Sequence, residues 1–196
     1  MLLLVGGCVG SVPYAEFGSE SARLGPATDL AAFTEARDRI AEEMGVDPSE
    51  VLLGSLTGSF DSISVQAANT RDASVWDTWT IDAGALRDPW PMDYGSVNGS
   101  FTLDDVPALA ELTDLVRTAR ERAGLGETAM ITDVTVSCPP GAAAAPGSTT
   151  GHSMSDSGPI VDGRTPSPCE PTITLTVAED RRTPVDVEFS SDGEPL

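Results

Sequence analysis

The stretch MITDVTVSC at positions 130–138 decides the fold class of this 196-residue chain. Its apolar and polar side chains alternate, which is typical of a strand with one buried face. A second stretch, CEPTITLTV at positions 169–177, alternates in the same way and begins with a cysteine on its apolar side. The two stretches therefore predict adjacent strands of an antiparallel sheet.

Two amphipathic helices are predicted on either side of further strands. Apolar residues recur at helical spacing over Thr28–Met44, and Gly45 is placed to end that helix. A second helix is predicted from the capping-box pair Thr102 and Asp105 to Gly124. The remaining predicted segments are 51–67, as one bent strand or two short ones, strands over 75–81 and 183–189, and an irregular link over 89–95.

The order of helix, glycine stop and alternating strands occurs twice. It predicts an α+β fold of two helix-then-antiparallel-strands units, residues 28–100 and 101–196, with the helices packed on the sheet. The same order, over roughly residues 28–190, resembles PepSY-type and beta-lactamase-inhibitor-protein-like domains, in which a helix precedes a meander. This resemblance implies a binding or inhibitory role rather than catalysis, and it identifies no functional residue.

The N-terminal run Val5-Gly6-Gly7-Cys8 ends a short apolar segment. It resembles the lipobox of bacterial lipoproteins, in which a small-residue pair precedes a cysteine that is lipidated and becomes the mature N-terminus. The resemblance implies a truncated signal peptide over residues 1–7, lipidation of Cys8 and a flexible tether over 8–27. A secretory signal also needs a charged segment and a longer apolar run, so we expect the true start codon upstream of Met1. An ordinary chain start with a chance Gly-Gly-Cys is the alternative.

Setting Cys8 aside leaves two cysteines, Cys138 and Cys169, at the ends of a loop over residues 139–168. In an exported protein such a pair is typical of one disulfide, and strand parity places both on the buried side of adjacent strands. Two free thiols or a metal-binding pair are the alternatives. Zinc needs about four ligands, however, and the one histidine, His152, lies within the loop. The loop is rich in Gly, Ala, Ser, Thr and Pro and is expected to be disordered.

Composition limits the classes of partner. All eleven basic residues are Arg, and the net charge is −20, so nucleic acid is a poor partner because phosphate binding needs clustered Lys and Arg. The charge indicates solubility, with a cation-binding surface or a basic partner as the alternative. Abundant Ala, Gly, Pro, Asp and Arg resemble the product of a GC-rich, actinobacterial genome. The sequence contains no run of about 20 apolar residues that could span a membrane.

Few side chains point to catalysis. His152 lies in the loop between the cysteines, so neither a Ser-His-Asp nor a Cys-His triad is predicted. Acidic pairs are expected to be solvated surface groups, with a glycosidase pair as the alternative. These pairs are Glu42/Glu43, Asp104/Asp105 and Asp186/Glu188. No catalytic residue, metal ligand or cofactor is predicted.

The aromatic residues are sparse but lie close together in the sequence. Strand parity places Trp76 on the face opposite Trp79. Trp76, Trp90 and Tyr94 are therefore predicted to form an exposed contact patch of the residue types that dominate binding hot spots. A second small core beneath the Pro-rich link is the alternative.

These features predict an exported, non-enzymatic binding or interaction module on the extracytoplasmic face of the cell membrane. A lipid anchor holds it to the membrane, and its expected partner is a protein of the envelope. The first alternative is an inhibitor or regulator of an extracytoplasmic enzyme. The second is an envelope hydrolase that uses paired carboxylates.

Overall fold

The computed structural model describes residues 30–71, 75–82, 84–93, 99–126, 129–139 and 168–196. Two α-helices lie within these ranges, α1 (Leu30–Met44) and α2 (Leu112–Ala123). As predicted, each ends at a glycine with a positive φ, 71° at Gly45 and 64° at Gly124. Glycine adopts this left-handed conformation without a Cβ clash, so it closes both helices.

One antiparallel sheet contains all eight strands of the described ranges. The strands are β1 (Leu53–Ser59), β2 (Ser62–Ala68), β3 (Val75–Asp82), β4 (Ala85–Leu86), β5 (Trp90–Asp93), β6 (Met130–Ser137), β7 (Thr172–Ala178) and β8 (Val185–Ser190). They lie in the order β4-β3-β2-β1-β6-β7-β8, and β5 pairs with β3. Helix α1 precedes β1–β3 and α2 precedes β6–β8, so the fold is α+β with β1 and β6 at the centre of the sheet.

The two faces of the sheet differ in what packs against them. On one face, which we name the covered face, alternate strand residues form a single hydrophobic core with Phe33 of α1 and Val116 of α2. The opposite face, which we name the polar face, carries mostly serine and threonine. Strand residues of the core include Leu56, Val65, Val134, Ile173, Leu175 and Phe189. The alternation in the sequence thus corresponds to burial on one side only.

The structure corrects the prediction of an irregular link over residues 89–95, because Trp90–Asp93 forms strand β5. The short strand β4 was not predicted either. The sequence signal is missing because Pro91 interrupts any alternation. Proline is tolerated in an edge strand, where its absent N–H is not needed for pairing, and Pro91 lies opposite Asp77 of β3.

The second predicted helix starts later than its capping box. The Thr102 N–H donates to Asp105 Oδ2 at 2.7 Å, but this capping box closes a 3₁₀ turn over Leu103–Asp105 rather than the α-helix. A second 3₁₀ turn, Pro107–Glu111, precedes α2. Proline disfavours α-helical backbone at the residue before it and lacks an N–H, which explains the break.

Candidate functional site

The polar face carries two unbroken rows of mostly small polar side chains that run across six strands. Cross-strand partners point to the same face, so the register defines each row. Adjacent strands are about 4.8 Å apart, and each row therefore spans on the order of 24 Å. Most members are half-exposed. The rows are Thr80-Ser64-Thr57-Thr135-Thr174-Glu188 and Thr78-Gln66-Ser55-Ser137-Thr172-Ser190.

Hydrogen bonds between strands hold several of the polar-face side chains in place. Ser59 Oγ donates to Asp133 Oδ1 at 2.8 Å, and Thr176 Oγ1 donates to Asp186 Oδ1 at the same distance. Each pair joins neighbouring strands. The polar face therefore presents carboxylates and hydroxyls whose positions are set before any ligand binds, which lowers the entropy lost on binding.

The structure divides the predicted aromatic patch. Trp90 is 69% exposed and lies opposite Thr78, so it stands at the β3 edge of the polar face. Trp76 points to the same face, opposite Ala68, but it is completely buried. An exposed contact at Trp76 was therefore a wrong prediction, and its burial outside the main core fits the alternative of a second small core. Tyr94 lies outside the described residues.

The two predicted disulfide cysteines come together at the ends of β6 and β7. Their Sγ atoms lie at disulfide-bonding distance and their Cα atoms are 5.8 Å apart. Cys138 is buried with the core of the covered face, as strand parity predicted. Several predicted features lie outside the described residues. They are the lipidation site Cys8, the predicted signal peptide and tether over 1–27, and most of the loop 139–168 with His152.

A cleft of about 270 Å³ opens where the end of α1 meets the turn between β2 and β3. We name it the α1-end cleft. Asp77 and Trp79, which line it, lie opposite Ala67 and Val65, so it belongs to the covered side of the sheet. Among the described residues, the lining consists of Glu43, Met44, Asn69, Thr70, Arg71, Asp77, Trp79 and Pro89.

Asn69 organises the polar wall of the α1-end cleft. Its Nδ2 donates to Asp77 Oδ2 at 2.7 Å, and its Oδ1 accepts from the Arg71 backbone N–H at 2.8 Å. Trp79 is 6% exposed, and its buried Nε1 has no hydrogen-bond partner within the described ranges. A buried donor left unpaired costs about 1–3 kcal/mol, so this indole N–H is a group that a partner would stabilise.

The acidic pairs predicted as surface groups make local contacts. Asp104 Oδ1 lies 3.5 Å from Arg37 Nη1, and the Asp104 side chain is 75% exposed. Asp105 accepts the hydrogen bond of the capping box from the Thr102 N–H. Glu42 and Glu43 are exposed on the last turn of α1. In the part of the chain that the structure describes, no three His, Cys, Asp or Glu side chains are grouped so that they could hold a metal ion. No described helix combines the length and apolarity needed to cross a bilayer.

Comparisons with known proteins show limited similarity. No protein-family model matches the sequence. No curated protein matches it either. Among solved structures, the fold is similar to that of a "putative lipoprotein" from Clostridium difficile 630, with a TM-score of 0.47 and 9% sequence identity. The match covers 84% of this chain and 89% of that one.

Sequence reasoning missed the α1-end cleft, although one signal was present. The strand pattern places Asp77 in register with Trp79 and Ile81, which both belong to the core. A carboxylate in a core-facing register needs a hydrogen-bond partner or a polar cavity. Asn69, which supplies that partner, follows the end of the neighbouring strand β2, and no local pattern in the sequence links it to Asp77.

Proposed function

We propose that this protein is a cell-envelope lipoprotein, anchored through Cys8, whose folded part is a non-enzymatic module that binds a protein partner. The binding surface in this proposal is the polar face. The observation that carries it is the pair of half-exposed polar rows, with Trp90 standing exposed at their edge. Tryptophan is enriched at binding hot spots, and a surrounding polar surface is typical of the rims of protein interfaces.

A non-enzymatic role agrees with the side chains that the structure describes. Of the predicted acidic pairs, Asp104 and Asp105 are engaged in an ion pair and a capping box. The other two pairs lie exposed, Glu42/Glu43 on the last turn of α1 and Asp186/Glu188 on strand β8. The net charge of −20 opposes binding to the phosphates of nucleic acid. A protein partner with a neutral or basic surface therefore fits the chain best.

We further propose that the chain consists of two related units, residues 28–100 and 101–196. Each described half contains one α-helix followed in sequence by three long strands, β1–β3 in the first half and β6–β8 in the second, and the first half adds the short strands β4 and β5. The two halves meet at the central strand pair β1–β6, where Thr57 lies opposite Thr135. The register continues in the same way on both sides, because Ser64 lies opposite Thr57 and Thr174 lies opposite Thr135. Both units then contribute equally to the polar rows.

Site-specific photo-crosslinking in intact cells tests the binding surface. A photoreactive amino acid replaces Thr57, at the centre of the polar face, or Glu121, which is exposed on α2. We expect a discrete cross-linked protein from position 57 and none from position 121. Trp90→Ala should reduce the adduct, whereas Leu196→Ala, which removes another exposed apolar side chain, should not. An adduct at position 121 without one at position 57 contradicts the proposal.

Identification of the cross-linked protein also distinguishes an interaction module from an inhibitor or regulator of an extracytoplasmic enzyme. If it is an extracytoplasmic enzyme, its activity is measured with and without the purified full chain. A decrease that depends on Trp90 favours an inhibitor or regulator, and unchanged activity favours a simple interaction module.

Membrane fractionation tests the lipid anchor. The wild-type protein, expressed from its natural gene, should sediment with the membrane and carry a lipid mass on Cys8. Cys8→Ala should move the protein to the soluble or secreted fraction, and the neighbouring Ser11→Ala should not. An unchanged distribution of the Cys8→Ala variant shows that the anchor is absent.

A further inference from the structure

The α1-end cleft is separate from the polar face and has its own charge arrangement. It is lined by two carboxylates, Glu43 and Asp77, and by one guanidinium, Arg71. Among the ion pairs of the described residues, none involves these three side chains. The cleft therefore offers groups of both signs to a ligand.

The position of the cleft at the end of α1 adds negative potential. Glu43 and Met44 are the last residues of that helix, and the last turn contains no basic residue. The free carbonyl groups at a helix C-terminus carry about half a negative charge, which favours a nearby cation. A ligand ammonium placed between Glu43 and Asp77 would therefore be stabilised by the helix end as well as by the two carboxylates.

The opposite wall suits an anion. Asn69 accepts from the Arg71 backbone N–H and so fixes the start of the turn that carries the guanidinium. Guanidinium groups bind carboxylates through two parallel hydrogen bonds. Met44, Trp79 and Pro89 supply the apolar part of the lining, to which Thr70 adds a polar side chain. A volume of about 270 Å³ lies just below the usual range for drug-sized ligands and suits a smaller molecule.

We propose that the α1-end cleft binds a free apolar α-amino acid. The ammonium is held by Glu43 and Asp77, the carboxylate by Arg71, and the side chain by Met44 and Trp79. This inference goes beyond the proposed function of the polar face and does not depend on it. Trp79 also provides a probe of binding, because a ligand entering beside this residue would change the environment of its buried indole N–H.

Nuclear magnetic resonance on the full chain tests the proposal with defined probes. L-valine, L-leucine and L-methionine are titrated separately, and the indole N–H signals of Trp76, Trp79 and Trp90 are assigned by Trp→Phe variants. We expect saturable binding of at least one probe with a dissociation constant of about 1 mM or lower. The Trp79 signal should shift, and the signal of the exposed Trp90 should stay in place.

Blocked probes test the zwitterionic recognition. The N-acetyl form of the binding amino acid lacks the ammonium, and its amide form lacks the carboxylate. Each should bind about 10-fold or more weakly, because one charged contact is lost. Equal binding of a blocked form overturns the proposal. So does the absence of saturable binding by all three free amino acids at about 10 mM with folded protein.

Charge-removing variants locate the ligand. Glu43→Gln and Arg71→Gln should each weaken binding about 10-fold, and both residues are exposed, so the fold should tolerate the changes. Asp82→Asn and Arg87→Gln are matched controls, because this ion pair lies at the β3–β4 edge and does not line the cleft. Unchanged affinity in both cleft variants overturns the proposed site even if an amino acid binds elsewhere.

Discussion

On the covered face of β7, Ile173, Leu175 and Val177 are completely buried, whereas their chain neighbours Thr174 and Thr176 on the polar face are half-exposed. The same strand thus serves two surfaces through alternate residues. Apolar area removed from water contributes about 25 cal/mol per Å², so the covered face supplies most of the stability. The polar face contributes less to folding stability, so its residues can be suited to binding a partner without destabilising the fold.

Strand β3, which lies next to the edge strands β4 and β5, departs from this division at two adjacent positions. Trp76 is an apolar residue that is buried on the polar face, and Asp77 is a charged residue on the covered face. Asp77 escapes the cost of burial because it accepts from Asn69 and lines the α1-end cleft. The comparison shows that the simple two-face pattern holds at the centre of the sheet and breaks at its β3 edge.

The largest expected effect tests the exception at Trp76. Trp76→Ala should lower the free energy of unfolding by about 3–5 kcal/mol, because it leaves a cavity where a wholly buried indole lay. Trp90→Ala, at an exposed position on the same face, should change it by about 0.5 kcal/mol or less. Urea denaturation of both variants measures the difference. A small loss for Trp76→Ala would show that the second core contributes nothing to stability.

A matched pair on β7 tests the division between the two faces at the centre of the sheet. Leu175→Ala should cost about 2–5 kcal/mol, since this side chain is fully buried between β6 and β8. Thr174→Ala, one residue away on the polar face, should cost less than about 1 kcal/mol. The same denaturation measurement applies. Similar losses for the two variants would mean that both faces are packed.

Local sequence patterns predicted which strand residues face the core and where the two helices end at their C-termini. The alternation in β6 and β7 and the glycines at 45 and 124 required only neighbouring residues, so the sequence was sufficient there. Strand β5 was not predictable in this way, because the proline-containing segment Trp90–Asp93 becomes a strand only by pairing with β3. Whether one sheet or two would form also depended on the contact of β1 with β6, which is distant in sequence.

The candidate sites depended still more on long-range packing. Parity predicted that Trp76 faces away from the core, but it could not show that something buries this side chain. The α1-end cleft combines Glu43 from a helix end, Asn69 from the turn after β2 and Asp77 from β3. The core-facing register of Asp77 is a local signal, but the other lining residues come from separate segments, so the cleft itself follows only from the packing of the helix against the sheet.

The disulfide allows a comparison of the two faces at one pair of strand ends. The variant Cys138→Ala/Cys169→Ala should lose about 2–4 kcal/mol, because a cross-link over 31 residues restricts the unfolded chain. On the polar face, Thr172 Oγ1 donates weakly to the Ser137 carbonyl at 3.4 Å, so Thr172→Val should cost less than about 1 kcal/mol.

Denaturation with and without reductant measures the disulfide contribution. Reduced wild-type protein should fall to the stability of the double-alanine variant, which itself should not respond to reductant. In a Cys8→Ala background, which removes the third thiol of the chain, a mass unchanged by alkylation before reduction is the control that the bond is formed. If both cysteines are alkylated without reduction, the bond is absent and the predicted loss of stability loses its basis.

The smallest expected effect lies off both faces, at Asp47 between α1 and β1. The side-chain and backbone hydrogen bonds from Ser49, at 2.6 and 2.9 Å, lower the pKa of Asp47 below its usual 3.8. A pKa that is lower in the folded state means that ionised Asp47 stabilises the fold above about pH 4, and that this contribution is lost as the pH falls through the folded pKa. The stability difference between wild type and Asp47→Ala should therefore shrink in that acid range.

Ser49→Ala should raise the Asp47 pKa towards 3.8 in a carboxyl NMR titration, because it removes the hydroxyl hydrogen bond that contributes most to lowering this pKa. A wild-type pKa at or above 3.8 would show that the turn does not depend on this carboxylate, and the acid sensitivity of the protein would then have to come from the two faces themselves.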